Sequence, residues 1–414
     1  MAKGFTSKLV HFQYQQDNQA NNQSFGSIHT PIYNSVPYGY QSVEDIMDVF
    51  QGKTKGHAYA RQSTPTTDSL QNLLTMLDDA FGALTFATGM AAISATFLSL
   101  LKQGDHIICS KFLFGNSYSF FTTLENFGIT VSFVDTADVN AVKAATVKQT
   151  KIVFVETLAN PGTQIPDLLN IGDYCEEKGL LYIVDNTMTS SYLFSAKAAK
   201  AHLIITSLSK YTSGHGHVLG GCVSDTGLFN WENYPHIFEN YRTGNSKGWG
   251  LQQIKKKSLR DMGGTLSSDS AYQIAVASET MALRMDRQCE SANKLAALLD
   301  AHPKIKKVYH PSLESHAQHE FAKKHFKHFG AILSFDLEDD VELVEIINKL
   351  NIAINATHLG DNRTLILPMA PTIFYEMGAQ NRKTMGIGDK MIRCTIGIED
   401  TQDLLDDFTQ ALQD

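Results

Sequence analysis

The chain has 414 residues, 43% hydrophobic and 19% charged, with a formal net charge of -8. Length and composition suit a globular protein with one large and one smaller domain, and the acidity argues against a general binder of nucleic acid or membrane surfaces. Five scattered cysteines (109, 175, 222, 289, 394) without a C-x-x-C pair, no apolar export core at the N-terminus and no apolar stretch long enough for a bilayer lead to an expected cytoplasmic location, with no structural zinc.

Residues 1–60 lack strong periodicity but carry Tyr33, Tyr38, Tyr40, Phe50 and Tyr59. So many aromatics fit an extended arm ordered by packing against something else better than a disordered tail. From about residue 66 the pattern becomes α/β. Thr66, Thr67 and Asp68 are candidate caps for a helix with Leu70, Leu73, Leu74, Leu77 and Phe81 on one face. Short apolar runs then alternate with helical patterns. Strands are expected at 83–87, 106–110, 130–134, 151–156, 180–185, 203–206 and 218–223, with helices such as 90–101 and 171–178 between them. Strands separated by helices imply right-handed crossovers and a mostly parallel sheet covered on both faces, with ligands outside the carboxyl ends of the strands. Residues 225–265 are irregular. A long helix is expected at 268–302, then strands at 332–337, 353–356 and 391–398 and helices at 341–350 and 401–412. This divides the chain into an arm (1–60), a large α/β domain (61–265) and a smaller α+β domain (266–414). Histidines 302, 310, 316, 319, 325 and 328 read as a solvated helical face.

The chemistry gathers at expected strand ends. Lys210, in Ser207-Leu208-Ser209-Lys210-Tyr211, follows the run 203–206 and precedes a loop rich in glycine, Gly214 to Gly221. A lysine there is either a turn residue in solvent or a desolvated nucleophile, and the two serine hydroxyls could hold a phosphate. Thr88-Gly89-Met90 is either a plain strand-helix turn or a phosphate-binding helix N-terminus. Asp185 either caps a turn or presents a carboxylate to a ligand. Asn160-Pro161 lies past the strand ending at Glu156. His215 and His217 could bind a metal only with a further donor.

Taken in order, the turn at Thr88, the segment around Phe114, Glu-x-x-x-Asn-Pro, Asp-Asn-Thr and Ser-x-Ser-Lys-Tyr resemble the Cys/Met-metabolism family of pyridoxal-phosphate enzymes, over about residues 59–407. That family includes cystathionine γ-synthases, cystathionine and methionine γ-lyases and O-acylhomoserine sulfhydrylases. The resemblance implies an aspartate-aminotransferase-like α/β fold (fold type I) and pyridoxal 5'-phosphate as cofactor, in a Schiff base on Lys210. It further implies that Asp185 holds the pyridine nitrogen, that Thr88, Gly89, Met90, Ser207 and Ser209 bind the phosphate, and that Phe114 and Asn160 lie beside the cofactor. Tyr59 and Arg61 match family residues that reach a neighbouring subunit's phosphate. A homodimer is then the minimal active unit, a homotetramer the usual assembly, and Tyr59 a second catalytic residue. Arg393 matches the arginine that grips the substrate α-carboxylate, a task suited to a bidentate guanidinium, with Asn160 and His358 as further substrate contacts.

Two departures stand out. Phe114 occupies the place of the family's stacking, acid-base tyrosine and has no hydroxyl. His358, in His-Leu-Gly-Asp, replaces a serine, and reads equally as a substrate contact or as a histidine of a surface loop. A leaving carboxylate needs less protonation than a leaving thiol, which inclines the expectation toward γ-replacement on an O-acylhomoserine, by sulfide, a thiol or cysteine. The alternative is γ-elimination from methionine or cystathionine. More distant is a metal-binding or regulatory protein on an inherited enzyme fold.

Overall fold

A computed structural model describes residues 3–19 and 26–413. Seven strands form the larger sheet: β1 (Gly82–Phe86), β2 (His106–Ser110), β3 (Thr130–Val134), β4 (Thr150–Glu156), β5 (Leu181–Asp185), β6 (Leu203–Thr206) and β7 (Gly221–Asp225). Their order is β1-β7-β6-β5-β4-β2-β3, and β7 alone runs antiparallel to its neighbours. The inner strands are apolar on both sides. Ile107, Phe154 and Ile183 join one buried cluster, while Ile108, Val153, Val155 and Val184 join the other. Alternate residues thus meet different helix layers, as a doubly covered parallel sheet requires.

A second sheet contains β8 (Ile305–Tyr309), β9 (Ile332–Leu337), β10 (Ile354–Asn355), β11 (Leu365–Pro368) and β12 (Met391–Thr395), in the order β10-β11-β12-β9-β8. The helices Met281–Asp300 and Thr401–Leu412 cover it through Leu295, Leu299, Leu404 and Phe408. The two-sheet α/β architecture matches the expectation.

Local differences have identifiable causes. The arm is partly helical: Phe5–Gln19 buries Leu9 in the core, and Gln13 accepts the Thr30 N–H at 3.0 Å. Its few apolar residues are diluted by polar ones, so the periodicity is weak. A short helix, Val43–Phe50, is capped by Ser42. The next helix, Pro65–Leu77, starts at Thr64 because Pro65 suits the first helical position and Thr64 and Thr67 form a reciprocal capping box. Phe81 lies beyond that helix.

The single helix expected at 268–302 is two, Ser268–Ser278 and Met281–Asp300. Arg284 explains how the break is satisfied: its guanidinium donates to the carbonyls of Tyr211, Thr212 and Ala277. The strand expected at 218–223 lies at 221–225 because Gly220 is held in the loop by the Ser209 hydroxyl. Strands β8 and β11 add to the expected elements. Lys306 and Lys307 face outward in β8 and mask its alternation, and Pro368 ends the short β11. The histidine cluster is not a solvated face. His310 is fully buried between Ser312 and the Gly330 carbonyl, and the buried His319 donates its Nδ1–H to the Pro311 carbonyl at 2.8 Å.

Candidate active site

Parallel strands bring their carboxyl ends to one edge, and there lies a cavity of about 410 Å³. At the end of β1, Thr88 caps the helix Gly89–Leu100 by accepting the Ala91 N–H at 2.9 Å. The first-turn amides of Gly89 and Met90 have no intrahelical acceptor, which makes this edge of the cavity an anion seat. Glycine is required: a Cβ on Gly89 would fall 2.8 Å from Ser207 Cβ and 2.9 Å from its Oγ. A Cβ on Gly221 would fall 2.1 Å from the Thr88 carbonyl oxygen.

At the end of β5, Asp185 accepts the Thr187 N–H at 2.9 Å, and burial pushes its carboxyl up to about 6. Thr187 in turn accepts the Ser207 N–H at 2.8 Å, tying the β5 and β6 turns together. Opposite Asp185 in the sheet is Glu156, which accepts the Phe114 N–H at 2.8 Å. Burial, and then the Asp185 charge, hold Glu156 well above the usual carboxylate range. Glu156 and Thr187 line the cavity but were not singled out as site residues. The signal was present, since Glu opens Glu-x-x-x-Asn-Pro and Thr closes Asp-Asn-Thr.

Lys210 projects from the turn after β6. Burial, and secondarily the Arg393 charge, lower its amine to about 8, so a usable fraction is neutral near neutral pH. Ser207 and Ser209 both line the cavity, but the Ser209 hydroxyl is already engaged with the Gly220 backbone. Gly214, at φ 68°, lets Arg284 approach: a Cβ would meet the guanidinium at 1.8 Å.

Arg393 comes from β12 and is fully buried. It donates to Asn160 Oδ1 at 3.3 Å and to the Thr357 carbonyl at 3.0 Å. Its Nε has no hydrogen-bond partner among the described residues, leaving a buried donor suited to a carboxylate. Phe114 and Asn160 line the same cavity. His358 is not a surface loop residue: its Nδ1 lies 3.2 Å from Lys210 Nζ. Tyr59 and Arg61 lie outside this cavity. Tyr59 is exposed with the Arg61 guanidinium 5.4 Å from its ring, and Arg61 donates to the Arg260 carbonyl. His215 and His217 stack edge to face, and no group of three or more His, Cys, Asp or Glu able to hold a metal occurs among the described residues.

The cavity suits pyridoxal phosphate on its own chemistry. A helix N-terminus and Ser207 form a cradle that a Cβ on Gly89 would fill, Asp185 is an acceptor for a protonated ring nitrogen, and Lys210 is a nucleophilic amine. Fold and site together define a pyridoxal-phosphate enzyme of fold type I. More particularly, the chain belongs to the family of Cys/Met metabolism PLP-dependent enzymes, whose profile matches residues 8–413. It is 34% identical over 393 residues to the L-methionine gamma-lyase of Fusobacterium nucleatum subsp. polymorphum, covering 94% of each chain. It is 30% identical to the homocysteine synthase of Schizosaccharomyces pombe, covering 92% of this chain and 93% of that one. Its fold superposes with a TM-score of 0.91 and 28% identity on a crystal structure assigned to O-acetylhomoserine (thiol)-lyase from Campylobacter jejuni, covering 99% of both chains. That structure contains N'-pyridoxyl-lysine-5'-monophosphate. The chain is therefore a pyridoxal-phosphate enzyme of sulfur amino-acid metabolism. Among the described residues no helix is long and apolar enough to cross a membrane.

Proposed function

We propose that the protein catalyses γ-replacement on an O-acylhomoserine, with sulfide, a thiol or cysteine as the incoming nucleophile. The observation that carries this reading is Phe114 in the cavity wall. Its ring can pack against a ligand but can neither give nor take a proton. An acetate or succinate leaves as a weakly basic anion, whereas a thiolate needs a proton at departure, so a wall without a hydroxyl favours the ester.

The residues divide the work. The guanidinium of Arg393, oriented by Asn160 and the Thr357 carbonyl, receives the substrate α-carboxylate. Thr88, Gly89, Met90 and Ser207 hold the cofactor phosphate, and Asp185 holds its ring nitrogen. The bound cofactor supplies an electron sink for the carbanion formed at Cα. Lys210 takes the Cα proton on Nζ and returns it where the reaction needs it. We place Tyr59 and Arg61 at the phosphate of the partner subunit, which is supported by their exposure where the arm meets the large domain, outside their own cavity. The active unit is then a homodimer, paired further into a tetramer. Five buried, unpaired cysteines support a cytoplasmic location.

A second reading, γ-elimination, is favoured by the similarity to L-methionine gamma-lyases. Purified protein should be given O-acetyl-, O-succinyl- and O-phosphohomoserine, cystathionine and methionine, each with and without sulfide or cysteine. Formation of homocysteine or cystathionine from an ester supports replacement. Release of 2-oxobutyrate from methionine or cystathionine without an added nucleophile, and no replacement on any ester, would establish elimination instead.

A further inference from the structure

The loop beside the cavity, which lines it through Thr357 and Leu359, places an ionisable group against the lysine. His358 Nδ1 lies 3.2 Å from Lys210 Nζ, within hydrogen-bond distance. When Lys210 is an ammonium it donates and the imidazole accepts on Nδ1, so the neutral ring carries its proton on Nε2, which is buried and has no hydrogen-bond partner among the described residues. The adjacent backbone fixes the loop by contacts that do not use the imidazole: Arg393 holds the Thr357 and His358 carbonyls, and Gly360, at φ 70°, packs on the Tyr211 backbone.

We propose that His358 is the proton-exchange partner of Lys210, an ionisable side chain next to the lysine in a protein whose Phe114 offers none. The exchange is a simple transfer. When Lys210 has become an ammonium, one Nζ–H proton passes to the Nδ1 lone pair; the amine becomes neutral and the ring an imidazolium. The reverse step restores both, with no change of electrons and no other reactant. His358 acts through Lys210, so it is a positioning residue rather than a catalytic one. The idea rests on Lys210 as the cofactor lysine, not on which of the two reactions follows.

The surroundings of His358 set its working range. Burial most of all, then Lys210 and more weakly Arg393, disfavour its cationic form; Asp361 on its own loop and the Ser209 backbone favour it; and the Gly214–His217 loop approaches from the other side, with a Cβ on Gly216 only 3.7 Å from His358 Cδ2. His217, on that loop, also feels Asp361. The lowering influences prevail, so the imidazole lies below its ordinary value and is neutral when Lys210 needs an acceptor.

The test needs neither cofactor nor turnover. Cofactor-free wild type, His358→Asn and His358→Ser, each first shown folded by circular dichroism, are labelled briefly with acetic anhydride across a pH series, and acetyl-Lys210 is measured by mass spectrometry. Two groups this close titrate as a pair, so the wild-type curve should depart from a single-proton curve. Both variants should give a single step, displaced by about half a pH unit, or about threefold in labelling rate near neutrality. In loaded enzyme, the pH titration of the visible cofactor absorbance and the pH profile of kcat/KM should move in both variants. Superimposable labelling curves in all three proteins overturn the proposal. So does full rescue of both pH profiles by Asn, which keeps a hydrogen-bonding group near the δ position but cannot carry the proton. An inactive wild type with a two-step labelling curve would instead count against the proposed reaction and leave the exchange supported.

Discussion

Replacing Asp185 by Asn should stabilise the cofactor-free protein and weaken its hold on the cofactor. Burial raises the Asp185 carboxyl from an ordinary 3.8 to about 6. Below the lower value the group is protonated in both folded and unfolded chains and contributes nothing. Above the upper value it is ionised in both, and the folded chain bears the full desolvation penalty. Each pH unit between the two is worth about 1.4 kcal/mol, which gives at most about 3 kcal/mol against the cofactor-free fold. The carboxyl faces an open cavity, so water there reduces the figure to roughly 1–2 kcal/mol. An asparagine keeps an oxygen for the Thr187 N–H and removes the charge. Urea unfolding of cofactor-free protein, followed by tryptophan fluorescence, should therefore show Asp185→Asn more stable than wild type near pH 7.5, with the gap closing toward about pH 4. Titration with cofactor should show the opposite order in affinity, because a protonated ring nitrogen has lost its carboxylate. The reasoning fails if the variant is no more stable at the higher pH, or if its advantage persists unchanged in acid.

Arg393→Lys replaces a fork-shaped donor by a single ammonium and should weaken substrate capture by roughly 2–4 kcal/mol, read as a rise in KM with little change in cofactor absorbance. Phe114→Tyr restores a hydroxyl and should raise turnover of thioether substrates by about tenfold or more while leaving ester turnover nearly unchanged; steady-state rates on methionine and an O-acylhomoserine decide it. Gly89→Ala places a methyl group 2.8 Å from Ser207 Cβ, so equilibrium dialysis should show weaker cofactor binding even where circular dichroism shows a native fold.

The sequence made the large domain and its strand-end chemistry legible for a physical reason. Buried parallel strands are near-continuous apolar runs, and residues such as Lys210, Asp185 and Thr88 stand where each run stops. Arg393 was reached only through its motif, since a charged residue within a strand carries no periodic signal of its own. Glu156 was hidden by belonging to a recognisable strand end without an assigned role; only the opposed register of β4 and β5 shows it beside Asp185. His358 read equally as a loop residue, because its contact with Lys210 spans 148 positions that no local pattern joins. The helix break near 280 was invisible for a similar reason: Arg284 answers to carbonyls on the lysine turn.

The close approach of Gly89 to Ser207 has a consequence for the lifetime of the chain. These two turns end β1 and β6, which are not neighbours but flank the antiparallel β7. A cofactor phosphate seated between them, as proposed, would act as a removable rivet across three strands. At one hundred times its dissociation constant, such a ligand adds about 2.7 kcal/mol to the folded state. Vitamin B6 supply would then govern how long a molecule survives proteolysis as well as whether it can react, and a cell short of the vitamin would lose the protein along with its activity.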